Sequence, residues 1–208
     1  KTPMAVNALR AASSNEPGVM SKSMANGLRQ LKQEVVSYEA IDNGSSVTVK
    51  QSVKVSGVQA EKVNGYGDTK TTITPVKEPL NDANTHFINN QEWTIYADGT
   101  VVCQSVLLPR GNPLELLRLG YEFQFPANLG NVAYYGRGPE ENYADRKSGM
   151  PLGVYKTTAK DSFFPYGRPQ DCGNHEDTRW VAVTDDKGQG LLFGSLGTPF
   201  AFSAIPYT

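Results

Sequence analysis

The chain has 208 residues, of which 20% are charged and 38% hydrophobic, with 20 Lys and Arg against 21 Asp and Glu. A net charge of −1 with no long basic run argues against a nucleic-acid surface. No run approaches eighteen consecutive apolar residues, so no membrane-spanning helix is encoded, and the length is sufficient for one large domain with a substantial core.

Residues 1–20, rich in Asn, Ser, Gly and Pro, read as an irregular opening segment. Ser21 and Ser23 are placed as N-caps of a helix to about Gln33, with Met24, Leu28, Leu31 and Val35 on one face of a 3.6-residue period. Gly27 interrupts that helix, and EVVSYEAI reads equally as a strand. From there the pattern is β. SSVTVKQSVKVSG alternates Val47, Val49, Val53 and Val55 with polar residues after an Asp42-Asn43-Gly44 turn. Residues 57–90 read as loops with a short strand or two. QEWTIYADGTVVCQSVLLP then forms a hairpin about Asp98-Gly99, and Asp-Gly is a strong two-residue turn signal. LELLRLGYEFQFP reads as a strand ended by Pro126. TRWVAVTDD and GLLFGS form a last hairpin joined at Lys187-Gly188, before FAFSAI. Twenty glycines and thirteen prolines punctuate strands eight to fifteen residues apart, which predicts an all-β sandwich of large antiparallel sheets. No internal repeat or linker divides the chain.

The segment Tyr134–Tyr155, YYGRGPEENYADRKSGMPLGVY, stands apart. Gly136, Gly138 and Pro139 break regular structure, and Glu140, Glu141, Asp145, Arg146 and Lys147 nearly cancel in charge. An ordered charged loop between aromatic anchors is a place where function sits. A second polar cluster, RPQDCGNHEDTRW at 168–180, crowds Arg168, Asp171, His175, Glu176, Asp177 and Arg179 together. Both clusters read either as loops tied by internal bonds or as a sugar-facing surface. The candidates for carbohydrate or interdomain contact are Arg137, Glu141, Asn142, Asp145, Arg146, His175, Glu176 and Arg179.

Catalytic patterns fail one after another. Ser195 lacks the first glycine of a G-x-S-x-G elbow. Cys172 and His175 give half a zinc site with no second half, and His175 is expected to bond within its own loop near Glu176 or Asp177. Gly65-Tyr66-Gly67 and Gly136-Arg137-Gly138 lack the third glycine and the helix of a phosphate loop. Asn43-Gly44-Ser45 matches a glycosylation sequon but reads first as a turn. Glu140 and Glu141, like Glu176 and Asp177, are neighbours whose side chains diverge on an extended chain, so neither offers an acid/base pair. Cys103 is placed in the core. Two cysteines make no disulfide framework, which favours free thiols, although spacing alone leaves a bridge open.

The 134–155 block closely resembles the C-terminal small-chain β-sandwich of glycoside hydrolase family 2 β-galactosidases. Tyr135, Gly136, Gly138, Pro139, Glu141, Tyr143, Asp145 and Arg146 fill that family's Tyr-Gly-x-Gly-Pro-x-Glu-x-Tyr-x-Asp-Arg pattern. A second motif is met by Pro169, Gln170, Gly173, Arg179 and Trp180, with Asp171 replacing Glu, and FSAIPYT resembles a third. The opening keeps Asn7, Arg10, Ala11, Asn15 and Gly18 but lacks the family's aromatic and proline there. The resemblance implies a galactose mutarotase-like supersandwich, truncated before the family's Gly-Gly-Asp-Asp-Ser-Trp-like loop. It implies a parent enzyme that cleaves terminal β-D-galactosides with retention. Both catalytic glutamates would lie in an upstream barrel, and Mg2+ and a monovalent cation would be held by other domains. No cofactor is expected in this chain; its expected partners are that barrel and the galactoside, with neither nucleic acid nor membrane. The fragment is expected to be inactive alone, in a cytoplasmic or periplasmic enzyme. A free-standing carbohydrate-binding module and a mutarotase-like isomerase are the alternatives. For the isomerase, His175 and Glu176 adjoin one another, whereas an acid and a base must face across a sugar.

Overall fold

The computed structural model describes residues 4–10, 16–65, 72–167 and 170–206. Strands dominate, all their pairings are antiparallel, and the fold is all-β as the spacing of strand and turn signals predicts. The chain forms two compact units, Lys1–Phe123 and Gln124–Thr208.

The first unit carries β1 (Ala5–Asn7), α1 (Pro17–Ala25), β2 (Leu31–Asp42), β3 (Ser46–Gly57), β4 (Glu61–Asn64), β5 (Thr72–Pro75), β6 (His86–Tyr96), β7 (Val101–Arg110) and β8 (Gly120–Glu122). Its main sheet runs β2-β3-β6-β7, with smaller ladders β1-β8 and β4-β5. Side chains alternate across a strand, so Val53, Val55 and Phe87 share one face, where Val6, Ala8 and Leu28 complete a buried cluster. That row runs on to Tyr38, Val47, Ile95 and Val101, which are exposed. The opposite face is mostly polar, with Glu39, Lys50, Ser52, Asn90, Glu92 and Gln104.

The helix differs from expectation. It begins at Pro17 and ends by Ala25, so Ser21 and Ser23 lie inside it. Gly27 ends it in the left-handed region at φ 71°, where a Cβ would also meet Leu80 Cδ1 at 2.7 Å and the Gln59 carbonyl oxygen at 2.9 Å. Only Met24 and Leu28 of the expected apolar stripe are buried; Leu31 and Val35 belong to β2, where pairing with β3 overrides local helix pattern. The 114–125 run is likewise not one strand. Only β8 forms, while Leu114 and Leu116 pack on the core as irregular chain.

The second unit carries β9 (Asn131–Arg137), β10 (Leu152–Thr158), β11 (Asn174–Thr178), β12 (Trp180–Thr184), β13 (Gly190–Gly194) and β14 (Phe200–Ser203). Its sheet runs β10-β9-β12-β13, with β11-β14 as a separate ribbon. Phe200 and Phe202 of the ribbon pack against Val132, Tyr134 and Val181 of the sheet.

The hairpins form where turn chemistry places them. Gly44-Ser45 joins β2 to β3, with Gly44 at φ 81° and the Asn43 amide donating to the Ser46 carbonyl at 2.9 Å. The β6–β7 turn has three residues rather than two. The Tyr96 amide donates to Thr100 at 2.9 Å and Gly99 takes φ 87°, the left-handed position of a three-residue loop. The β12–β13 turn repeats this, with the Asp185 amide donating to Gln189 at 2.9 Å and Gly188 at φ 76°. Cys103 is half-buried rather than in the core, Cys172 is buried, and both thiols are free.

Candidate functional site

The 134–155 block becomes the end of β9, a loop over 138–151 and the start of β10. Segment 174–178 crosses beside it because Gly136 has no side chain. A Cβ there would meet Thr178 Oγ1 at 2.5 Å and Thr178 Cα at 3.1 Å. This approach joins the two polar clusters of the sequence into one network within the second unit.

Asn142 is its centre and is fully buried. Its Nδ2 donates to the Arg137 and Glu140 carbonyls, each at 3.0 Å, while its Oδ1 accepts the Glu176 amide at 2.9 Å. Its backbone exchanges bonds with Asn174: the Asn142 amide donates to the Asn174 carbonyl at 2.7 Å, and Asn174 Nδ2 donates to the Asn142 carbonyl at 2.7 Å. Both side-chain donors of Asn142 tie its own loop, while its Oδ1 and backbone hold segment 174–176.

Two charged groups flank that knot. On one side the Glu141 carboxylate accepts from Arg146 Nη2 at 2.5 Å, the Gly173 amide at 2.8 Å, the Tyr143 hydroxyl at 3.4 Å and the Tyr166 hydroxyl. Arg146 also lies over the Tyr143 ring, 4.9 Å from its centroid. Burial alone would raise the Glu141 pKa, but bonds from Tyr166, Gly173 and Arg146 outweigh it and hold the carboxyl below its usual range. On the other side Arg137 Nε donates to Asp177 at 2.5 Å, and Lys147 Nζ donates to Asp177 at 3.1 Å. Those two bonds hold the Asp177 pKa down as well. Arg137 Nη1 donates to the Met150 carbonyl at 2.8 Å, clipping the loop to the strand it leaves.

Glu176 and Asp177 do not diverge as neighbours on an extended chain should. Lys147 Nζ lies 3.7 Å from Glu176 and 3.1 Å from Asp177, because Asp177 takes φ 52° at a register shift between β11 and β14. Asp tolerates the left-handed region better than most residues, and the surrounding bonds over-determine it.

His175 does not bond within its own loop. It is buried, with Nδ1 3.0 Å from the Tyr134 hydroxyl and 3.1 Å from the Arg137 carbonyl oxygen. A carbonyl only accepts, so the Nδ1 proton serves Arg137, and the Tyr134 hydroxyl donates to the Pro139 carbonyl at 3.3 Å. The imidazole stacks on Phe202 at 5.2 Å and lies 4.4 Å from the Tyr134 ring. Burial lowers its pKa, against the opposing effects of the Arg137 carbonyl and of Glu141 and Glu140. Arg179 lies over the Tyr135 ring at 5.5 Å and donates to the Asp177 carbonyl.

Seven of the eight candidates therefore come together, while Asp145 stands exposed outside the network. The network also takes in Asp177 and Lys147, which the sequence places in the two clusters but not among the candidates, and Asn174 and Tyr166, which it does not single out. Their one local signal is the abundance of charge around them; the partners are 25 to 40 positions apart for Tyr166–Glu141, Lys147–Asp177 and Arg137–Asp177. Arg168 and Pro169 of the second motif, the closing Tyr207 and Thr208, Ala11 and Asn15 of the opening motif, and Tyr66 and Gly67 lie outside the described residues. Among the described residues, no group of three or more His, Cys, Asp or Glu is arranged to hold a metal, and no helix is long and apolar enough to cross a membrane.

An antiparallel all-β domain with a stitched Gly-Arg-Gly-Pro loop is the class of structure that results. The whole of residues 1–208 matches the family model described as beta galactosidase small chain, and the chain belongs to that family. It is 40% identical over 116 residues to a β-galactosidase of Priestia megaterium, covering 56% of this chain and 11% of that protein. It is 48% identical over 91 residues to β-galactosidase BgaC of Bifidobacterium adolescentis, covering 43% of this chain and 9% of that one. With a β-galactosidase of Kluyveromyces lactis, identity is 31% over 117 residues, covering 56% and 11%. The matched part spans about a tenth of the length of these relatives, as the 11%, 9% and 11% coverages show.

Proposed function

We propose that this chain is the small-chain domain of a β-galactosidase, a retaining glycoside hydrolase acting on terminal β-D-galactosides. Its role is to brace the catalytic barrel and shape the pocket rim, while the acid, the nucleophile and any cations belong to other domains. The observation that carries this reading is the match of residues 1–208 to the small-chain family, and the loop carboxylates, tied to neighbouring side chains, agree with it. A retaining mechanism needs one carboxyl protonated near neutrality and a second ionised, about 5–5.5 Å apart. Glu141 and Asp177 are instead both held below their usual range by cationic and hydroxyl partners. Such carboxylates act as braces for a loop. They do not donate protons.

Hydrolysis of an aryl β-galactoside tests this. The full-length polypeptide is expected to turn it over, and residues 1–208 alone are expected not to exceed a protein-free control. Turnover by residues 1–208 would overturn the assignment. Calorimetric titration of the same chain with galactose is expected to give no saturable heat at millimolar sugar; saturation would favour a free-standing binding module.

A further inference from the structure

Asn26, Asn43 and Asn64 each precede a glycine, and Asp98-Gly99 has a similar form at a hairpin tip. Asparagine is a thermolabile residue, and a following glycine leaves the backbone nitrogen open to its side-chain carbon. That nitrogen is nucleophilic only once it gives up its proton, so the partner of the glycine N–H decides which pair reacts. The Gly27 amide donates to the Met24 carbonyl at 2.9 Å and the Gly99 amide to the Tyr96 carbonyl at 3.1 Å, and neither carbonyl can serve as a base. The Gly44 amide donates instead to Asp42 Oδ1 at 2.8 Å, a carboxylate that can take the proton. Access differs in the same sense. Gly44 is exposed, with no atom within 4 Å of where a Cβ would stand, whereas Gly27 is buried against Leu80, the Gln59 carbonyl and Gly57. Asn26 is held at both ends of its amide: Nδ2 donates to the Lys22 carbonyl at 2.9 Å, and Oδ1 accepts the Thr85 amide at 2.9 Å. Asn43 is exposed, and its Nδ2 donates to Thr48 Oγ1 at 2.9 Å. Asn64-Gly65 borders residues 66–71, which lie outside the described residues.

We propose that Asn43-Gly44 is a self-modification site, at which Asp42 serves as the base and Asn43 passes through a cyclic imide to aspartate and isoaspartate. Asp42 Oδ1 takes the Gly44 N–H proton as that nitrogen bonds to Asn43 Cγ. The Cγ–Nδ2 bond then breaks, the proton passes from Asp42 to the departing nitrogen, and ammonia leaves. Water opens the imide at one carbonyl to give aspartate, or at the other to give isoaspartate, whose main chain runs through the former side chain. No electrons are exchanged, and water is the co-reactant. Either product sets a second carboxylate beside Asp42 and removes the N–H that Thr48 Oγ1 now accepts. Isoaspartate also lengthens the chain between β2 and β3, where the Asn43 amide bonds the Ser46 carbonyl at 2.9 Å. The modification therefore loosens the tip of this hairpin and erases the Asn43-Gly44-Ser45 sequon.

The test ages the full-length polypeptide in mildly alkaline buffer. Peptide mapping by mass spectrometry reads the amide-to-acid conversion, and an isoaspartyl methyltransferase probes for isoaspartate. Position 43 is expected to convert at least about tenfold faster than position 26, with isoaspartate in excess over aspartate. It is also expected to convert faster in the native protein than in denaturant, where Asp42 is no longer fixed, while position 26 converts more slowly in the native protein. Asp42→Asn keeps an acceptor for the Gly44 amide but removes the base, and is expected to slow position 43 by about tenfold. Aspartate formed without isoaspartate would overturn the proposal, because no imide would have formed. Equal native rates at 43 and 26 would overturn it too, as would a native rate at 43 below that in denaturant, which would make the turn a protection. An Asp42→Asn rate equal to the wild type, with hydrogen-exchange protection of β2 and β3 intact, would remove Asp42 as the base. If that variant loosens the hairpin, the native and denatured rates of the wild type decide.

Discussion

The two four-stranded sheets solve the burial problem differently. In the first unit, neighbours in the sheet are hairpin partners or near-neighbours in sequence, one face is apolar, and the core is aliphatic with Phe87 at its centre. In the second, both faces are apolar, and the deepest residues beside Tyr134 are polar: Asn142, Thr178 and His175. The first unit rests chiefly on water exclusion in the Phe87 cluster, with the buried Glu61 paired to Arg29 beside it. The second rests on directed bonds between distant loops, which give a single geometry and fail when any partner is lost or changes charge.

The largest effect that would sharpen the contrast is in the aliphatic core. Phe87→Ala should cost about 4 kcal/mol in chemical denaturation, by lost burial and cavity formation, to a similar extent at pH 7 and pH 5. Asn142→Ala should cost about 3 kcal/mol, because it leaves the Arg137 and Glu140 carbonyls and the Glu176 amide without the partner they have now. A value under about 1 kcal/mol would mean that water replaces the amide and that the knot is not structural. Gly136→Ala should cost about 2 kcal/mol, since the new methyl meets Thr178 Oγ1 at 2.5 Å. Hydrogen exchange should show its loosening in 134–142 and 174–178 rather than in β3 or β6.

Acid acts on the second unit through three groups, and on the first through Glu61, whose pKa the Arg29 hydrogen bond lowers. His175 has its pKa lowered by burial from 6.5, so the unfolded chain binds the proton more readily. Stability from this group is present above about pH 6.5 and declines as pH falls below that value. Glu141 and Asp177 follow the same direction at lower pH. Their stabilisation is present above their ordinary values of 4.5 and 3.8 and is lost as pH falls through the depressed values. Exchange protection of 138–151 should therefore fall between pH 7 and pH 5 in the wild type and fall less in His175→Gln. The smallest effect belongs to the turns. Gly44→Ala places a side chain at φ 81° and should cost about 1 kcal/mol, with open space around it to limit the damage.

What could be read in the sequence was local. Asp42-Asn43-Gly44, Asp98-Gly99 and Lys187-Gly188 placed three hairpins, because glycine's left-handed freedom acts within a few residues. The helix was displaced because the Met24-Leu28-Leu31-Val35 spacing satisfies a helical stripe, yet the last two pair with Gly57 and Val53 in a sheet. The site was legible as a set of residues and not as an arrangement. Seven candidates converge, but the convergence depends on Gly136 admitting Thr178 and on Asp177 turning left-handed, and both are properties of a crossing between β9 and β11. The role of Lys147 between Glu176 and Asp177 is invisible to any rule about neighbouring residues.

The central claim is that the carboxylates of this block hold structure and do not perform the chemistry. Its most direct test is the kcat of the full-length enzyme carrying Glu141→Gln, Glu176→Gln or Asp177→Asn, measured on an aryl β-galactoside below each variant's unfolding transition. The account predicts kcat within about tenfold of the wild type for all three, alongside reduced stability. A fall of about a thousandfold in any of them with the fold intact, the scale of a lost general acid or base, would contradict it.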